Sequence, residues 1–191
     1  MQDKLSSKPD LIILGFDNTL YENPSREYSI NIKEYKILPA NYFFQQLAQS
    51  VEIFSKFEFA HNTQFYLMSK RPDYHQNTIL NLLHTKGYRI DKSYFWNYNF
   101  FKDPHVRVNF DQNKFKIRYW SEKVGLIHSL HRSNMFHSIT VIDSSIVICS
   151  MLKSLHYTTV RAEIRGYQVF FEPFNQQSSS QIIEREAMIH G

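Results

Sequence analysis

The chain has one cysteine, five glycines and six prolines in 191 residues, and each scarcity excludes something. A lone Cys149 cannot build an internal disulfide framework. It sits in the apolar run IVICSML, where an inert, buried thiol is expected. With so few glycines there is no Gly-rich phosphate loop. Neither a GxSxG elbow nor a Cys/His nucleophile arrangement occurs. No apolar run approaches the roughly 18–20 residues that span a bilayer, so no membrane insertion is expected. The opening stretch MQDKLSSKPD has no apolar core and carries two acids, Asp3 and Asp10, which makes it a poor secretory or transit signal. A reducing, intracellular compartment is the expectation, cytoplasmic or nuclear by preference, with a mitochondrial location left open. Nine histidines are present, yet none forms HxxxH with a third ligand at sensible spacing. His128 and His131 are spaced i, i+3 and are expected on a helix surface.

What is present points to one globular domain. Apolar residues make up 42% and aromatic residues 16%, enough for a full core at this length. Net charge is +4 and the pI about 9.0. That balance is compatible with a polyanionic partner and is also common in ordinary soluble proteins.

Short apolar strands alternate with amphipathic stretches. Residues 1–10 read as a polar lead-in, 11–174 as a single domain, and 175–191 as a tail expected to be mobile. LIILGFD (11–17) is a strand running into a polar loop. Residues 21–40 are a long polar segment, too short for a large cap domain. Residues 41–57 have helical spacing, with Asn41 as N-cap. QFYLM (64–68) is a second strand ending at Ser69. A helix is predicted over 74–86, closed by Gly87. Residues 88–112 read as irregular and aromatic. Residues 115–131 read as a helix with Phe115, Tyr119, Val124, Ile127 and Leu130 facing the core. ITVI (139–142) is a third strand ending at Asp143, followed by a helix over 145–155. Strands over 158–164 and 168–174 complete the pattern. The pattern predicts a three-layer, Rossmann-like α/β fold: a mainly parallel sheet with helices on both faces. In such a sheet the strand ends at Gly15–Asp17, Ser69 and Asp143 converge on one crevice.

The run LIILGFDNTL resembles the first motif of the haloacid dehalogenase (HAD) superfamily of phosphohydrolases, an apolar strand followed by Asp-x-Asp-x-Thr. Asp17 matches the acid/base Asp, whose backbone carbonyl also binds Mg²⁺, and Thr19 matches the motif's end. Gly15 stands where the nucleophilic Asp belongs. Ser69 in LMSKRP matches the second motif. Lys116 in NKFKIRYW matches the third-motif lysine, with Lys114 as its rival. Asp143 matches the first acid of the fourth motif, while Ser144 stands where many relatives have a second acid. The chain is most similar to the Swiss Army Knife RNA repair-like group, on the strength of Phe115–Lys116, although the Arg and His that follow the last motif there do not appear. The resemblance covers residues 10–157.

Taken singly, these residues also have plain structural readings. Asp17 and Thr19 suit loop capping, Ser69 a turn, Lys116 a solvated helix face, and Asp143 the N-cap of the next helix. Taken together, they imply HAD ancestry without HAD chemistry. Gly15 cannot form a phospho-aspartyl intermediate, and the metal site, reduced to Asp17 and Asp143, is expected to be weak or absent. No cofactor is expected, and Mg²⁺ only if activity persists. The basic residues Lys70, Arg71, Lys114 and Lys116 are candidates for holding an anion. The expected role is a binding or scaffold subunit with a protein partner, RNA or another polyanion being a further possible partner. The alternatives are an active Mg²⁺-dependent phosphatase on nucleic-acid ends or small phosphate esters, and a structural subunit of a ribonucleoprotein. The aromatic segment 94–110 reads equally as a stacking or docking surface and as core.

Overall fold

The structure, a computed structural model, describes residues 8–20, 62–96, 112–165 and 168–173. Six strands form one sheet: β1 (Asp10–Gly15), β2 (Thr63–Pro72), β3 (Lys92–Trp96), β4 (Ile139–Asp143), β5 (Thr158–Arg165) and β6 (Gln168–Pro173). Their order across the sheet is β3-β2-β1-β4-β5-β6. The first five are parallel, and β6 closes the edge antiparallel to β5. Among the described residues, three helices accompany them: α1 (Gln76–Thr85), α2 (Gln112–Arg132) and α3 (Ile146–Ser154).

The central strands are nearly all apolar because helices cover both of their faces. Alternate residues of β1 part company: Leu14 joins a core with Leu67, Ile79, Leu82 and Leu83 under α1, while Leu11 and Ile13 join Val124, Ile127, Ile148 and Leu152 under α2 and α3. Chain travel across the sheet reverses between β1 and β4. Crossovers of constant hand then set α1 and α3 on opposite faces. The reversal also makes the gap between the carboxyl ends of β1 and β4 the place where a ligand crevice forms.

Local signals end the helices. Gly87 adopts φ 82°, and Tyr88 N donates to Leu83 O at 2.9 Å, closing α1 in a Schellman turn. Ser145 caps α3, its hydroxyl accepting from Ile148 N. Asp143 therefore does not cap that helix: its Oδ1 accepts from Ser145 N at 2.7 Å, one step upstream of the cap.

Three sequence expectations need correction. β2 does not end at Ser69 but runs on to Pro72, with a register shift against β3 between Ser69 and Pro72. The stretch read as irregular contains β3, whose KSYFW pairs, among the described residues, with β2. Five residues at a sheet edge, flanked by polar residues, leave too short a pattern to stand out. The predicted helix over 74–86 starts as a 3₁₀ turn, Asp73–His75, before α1. Residues 21–57 and the tail 175–191 lie outside the described residues, as does the aromatic segment beyond Trp96.

Candidate functional site

Past Gly15 the chain turns tightly. Thr19 N and Leu20 N both donate to Phe16 O, at 3.2 and 2.9 Å, and Asn18 takes a left-handed φ of 54°. Asn tolerates that conformation better than most residues. Phe16 and Leu20 are buried on either side of the turn. The loop is thus pinned by its apolar ends, and Asp17 is presented to the crevice.

Two hydrogen bonds stitch this loop to the one after β4. Ser144 N donates to Thr19 Oγ1 at 3.1 Å, and Ser144 Oγ donates to the carbonyl of Asp17 at 3.0 Å. Ser144 thus takes the carbonyl that the first-motif resemblance assigns to a metal.

Gly15 sits at the centre of this contact. A Cβ at that position would lie 2.8 Å from Asp143 Oδ2 and 2.8 Å from Thr19 Oγ1. Neither neighbour gives way freely. Asp143 Oδ2 accepts from Lys123 Nζ at 2.5 Å, and Asp143 Oδ1 holds Ser145 N. Thr19 Oγ1 holds Ser144 N. Gly15 has ordinary strand geometry, paired with Met68. The glycine is demanded by close approach rather than by backbone conformation.

Among the described residues, two buried ion pairs stand at the crevice, Asp17, Lys123 and Asp143 lining it. Lys123 and Asp143 have side chains 2% and 7% exposed. Burial pulls the Lys123 ammonium down, but the charge of Asp143 and the neighbouring Tyr119 outweigh it, so Lys123 stays protonated well above its ordinary range. Tyr119, one turn earlier on α2, is pushed up to about 12, chiefly by burial. The second pair joins Arg71 to Asp17, with Nε and Nη2 both on Oδ1. Burial raises the Asp17 carboxyl, Arg71 and Lys70 lower it, and the net result lies below the usual carboxylate value. Asp17 Oδ2 is buried and has no hydrogen-bond partner among the described residues. Beside Arg71, His75 is held down to about 4, first by burial and then by the guanidinium charge.

The crevice encloses about 450 Å³ between the β1 and β4 loops, the end of β2, α2 and the first turn of α3. Its wall brings together Gly15, Asp17, Ser69, Lys70 and Asp143, with Thr19 beside Gly15. Arg71 reaches the site through Asp17. Ser69 is buried, and its Oγ accepts from Arg71 N at 3.0 Å, which leaves its hydroxyl hydrogen to donate. Lys114 and Lys116 lie on the first turns of α2, and their side chains are outside the described residues. The lysine that meets Asp143 is Lys123, which the sequence reading missed. It lies seven residues after Lys116, two helical turns and so nearly the same face. Its signal was its place in the apolar stripe Tyr119, Lys123, Ile127, Leu130.

His128 and His131 are exposed, as expected. His128 Nδ1 lies 2.8 Å from Tyr157 Oη, and the His131 ring meets Tyr157 edge-on. Cys149 is buried and its thiol is pushed up to about 12, first by burial and then by Asp143. It is unreactive at neutral pH.

No protein-family model matches the chain, and neither a curated protein nor a solved structure matches it.

Mg²⁺ takes carboxylate, carbonyl and water oxygens in a near-octahedral array. Here the Asp17 carbonyl holds Ser144, Asp143 is committed at both oxygens, and Asp17 Oδ1 is committed to Arg71. Among the described residues no three His, Cys, Asp or Glu side chains gather as a metal site. The described residues at the crevice do not by themselves fit Mg²⁺. No described helix is long and apolar enough to cross a membrane.

Proposed function

We propose that this chain is a catalytically silent protein on a HAD-like frame, which retains an anionic group in the crevice and serves as a binding or scaffold subunit of a protein or RNA-containing complex. The observation that carries the reading is the packing at Gly15. The place of a nucleophilic side chain is filled by Asp143 and Thr19, each held by its own hydrogen bonds. A covalent step at this position has neither the atom nor the room.

Anion retention follows from what remains. Lys70 is exposed at the rim, Ser69 and Ser145 have hydroxyl hydrogens to donate, and the first turn of α3 faces the cavity. Backbone N–H groups at a helix start favour an anion. The reading of RNA as the anion's source rests on the sequence resemblance and the basic pI.

One observation favours the alternative of an active phosphatase. Asp17 lines the crevice, its carboxyl is held below the usual range, and its Oδ2 has no hydrogen-bond partner among the described residues. The readings separate in two assays. With an aryl phosphate and Mg²⁺, the protein is expected to release no phosphate, while calorimetry shows inorganic phosphate bound, weakened by salt and by Lys70→Ala. Lys116→Ala tests the sequence's own candidate in the same titration. Mg²⁺-dependent turnover abolished by Asp17→Asn would overturn the inactive reading. Absence of binding to phosphate and to single-stranded RNA would overturn anion retention. A stable partner copurifying from native extract is the expected outcome for a scaffold.

A further inference from the structure

We infer that the crevice has a second compartment built for a flat apolar ring, so that its ligand is a small organic anion carrying one aromatic or heteroaromatic ring beside its anionic group. The inference rests on the anion-retention reading for the head of that ligand and adds the class of its body.

The second compartment is a groove of about 170 Å³ between α2 and the ends of β2 and β3. It shares Met68, Ser69, Tyr119 and Lys123 with the main crevice, so the two form one continuous space. Its far wall is formed by Tyr94 and Phe95 of β3 and by Glu122 and Leu126 of α2. Tyr94 and Leu126 are half-buried against the core under α2, whereas Phe95, also half-buried, packs on the core under α1. Aromatic edges and a thioether are the surfaces that hold a ring well, through offset or edge-on contact and S–aromatic contact. The size fits one ring and little more, since a protein cavity of about 150 Å³ holds benzene.

Polarity runs along the space in one direction. Lys70, Ser145 and the start of α3 lie in the crevice, away from the groove. Lys123 stands at the junction, but its charge is already met by Asp143. Glu122 on the groove wall carries a carboxylate that disfavours an anion there, so the anionic head stays in the crevice and the ring takes the groove.

The test is calorimetric titration of the full chain with inorganic phosphate, methyl phosphate and phenyl phosphate. Phenyl phosphate is expected to bind at least about tenfold tighter than methyl phosphate, the ratio that burying one ring's apolar surface supplies. Leu126→Trp, which fills the groove, is expected to erase that ratio by weakening phenyl phosphate to the level of methyl phosphate. The wild-type ratio needs no variant to fold. Equal binding of methyl and phenyl phosphate by the wild type would overturn the ring compartment while leaving anion retention standing. Loss of both ligands alike in a folded Leu126→Trp protein would also overturn it. Failure of all three probes to bind would overturn both readings.

Discussion

Two aspartates face the same crevice, and they are used in opposite ways. At the β4 end, Asp143 spends one oxygen on Lys123 and the other on Ser145 N, and its Oδ2 also marks the wall against which Gly15 packs. At the β1 end, Asp17 gives both contacts of Arg71 to one oxygen and leaves the other without a partner among the described residues. Both pairs are buried to similar degrees. Burial therefore does not distinguish them; completeness does. A fully satisfied buried pair is part of the framework, whereas a buried acceptor without a donor is where a ligand gains most by arriving.

The largest effect belongs to the complete pair. Lys123→Met removes the cation and leaves Asp143 buried and uncompensated, so it should lower stability by about 3–5 kcal/mol. Adding Asp143→Asn removes the stranded charge and should restore part of that loss. Urea unfolding of the two variants measures both steps. A Lys123→Met cost below about 1 kcal/mol would show that Asp143 does not depend on its lysine, and the contrast between the two acids would collapse.

Next comes the glycine between them. Gly15→Ala introduces a Cβ at overlapping distance from two hydrogen-bonded oxygens and should cost about 1–3 kcal/mol, the range for overpacking. The cost should shrink when Asp143 is also shortened to Ala. Neighbours that share a contact couple by roughly 0.5–3 kcal/mol, and a double-mutant cycle in urea reads the coupling. An additive pair of mutations would mean that the space at position 15 is not set by Asp143.

These same residues show how far sequence reasoning reached. The ends of β1 and β4 were legible because parallel strands covered on both faces are continuous apolar runs, and Gly15, Asp17 and Asp143 follow or close such runs, whereas β2 runs three residues past Ser69. Their convergence needed only the topology. Lys123 was not legible from a local motif, since Lys116 and Lys123 share a helix face and the first sits beside the more suggestive Phe115. A lysine inside an apolar stripe is a signal only once a carboxylate is known to stand opposite. The closure around Gly15 was harder still. The sequence shows a missing side chain, but the refilling of its space depends on the register of β1 against β4 and on the Thr19–Ser144 bond, which join residues more than a hundred positions apart. β3 escaped because an edge strand of five residues carries little pattern of its own.

The Asp17 side of the comparison is sharpened by pH. Two groups there bind protons less readily in the folded chain than in the unfolded one: His75, lowered from 6.5 to about 4, and Asp17, lowered from 3.8. Between pH 6.5 and about 4 the unfolded chain takes a proton on His75 that the folded chain refuses, so stability falls as pH falls through that window. Asp17 contributes stability above 3.8 that is lost only below it, as the folded carboxyl protonates. Urea midpoints between pH 7 and 4 should therefore decline in the wild type and decline less in His75→Phe. An unchanged slope in the variant would remove His75 from the Arg71–Asp17 neighbourhood as an acid-sensitive element.

The smallest expected effect sets the scale for the others. Helix α2 carries a second ion pair, Arg118–Glu122, spaced i, i+4 and 2.9 Å apart, with side chains 56% and 54% exposed. Solvent screens this pair, and ordering two long side chains offsets most of its attraction, so Arg118→Ala should shift stability by less than about 0.5 kcal/mol. The shift should vanish in molar salt, because a short Debye length screens exposed charges first. Lys123→Met, one residue beyond Glu122 on the same helix, should keep most of its cost in that salt. Equal salt sensitivity of the two variants would show that Lys123 and Asp143 meet in water rather than in the wall of a closed site, and the framework role of Asp143 would fall with it.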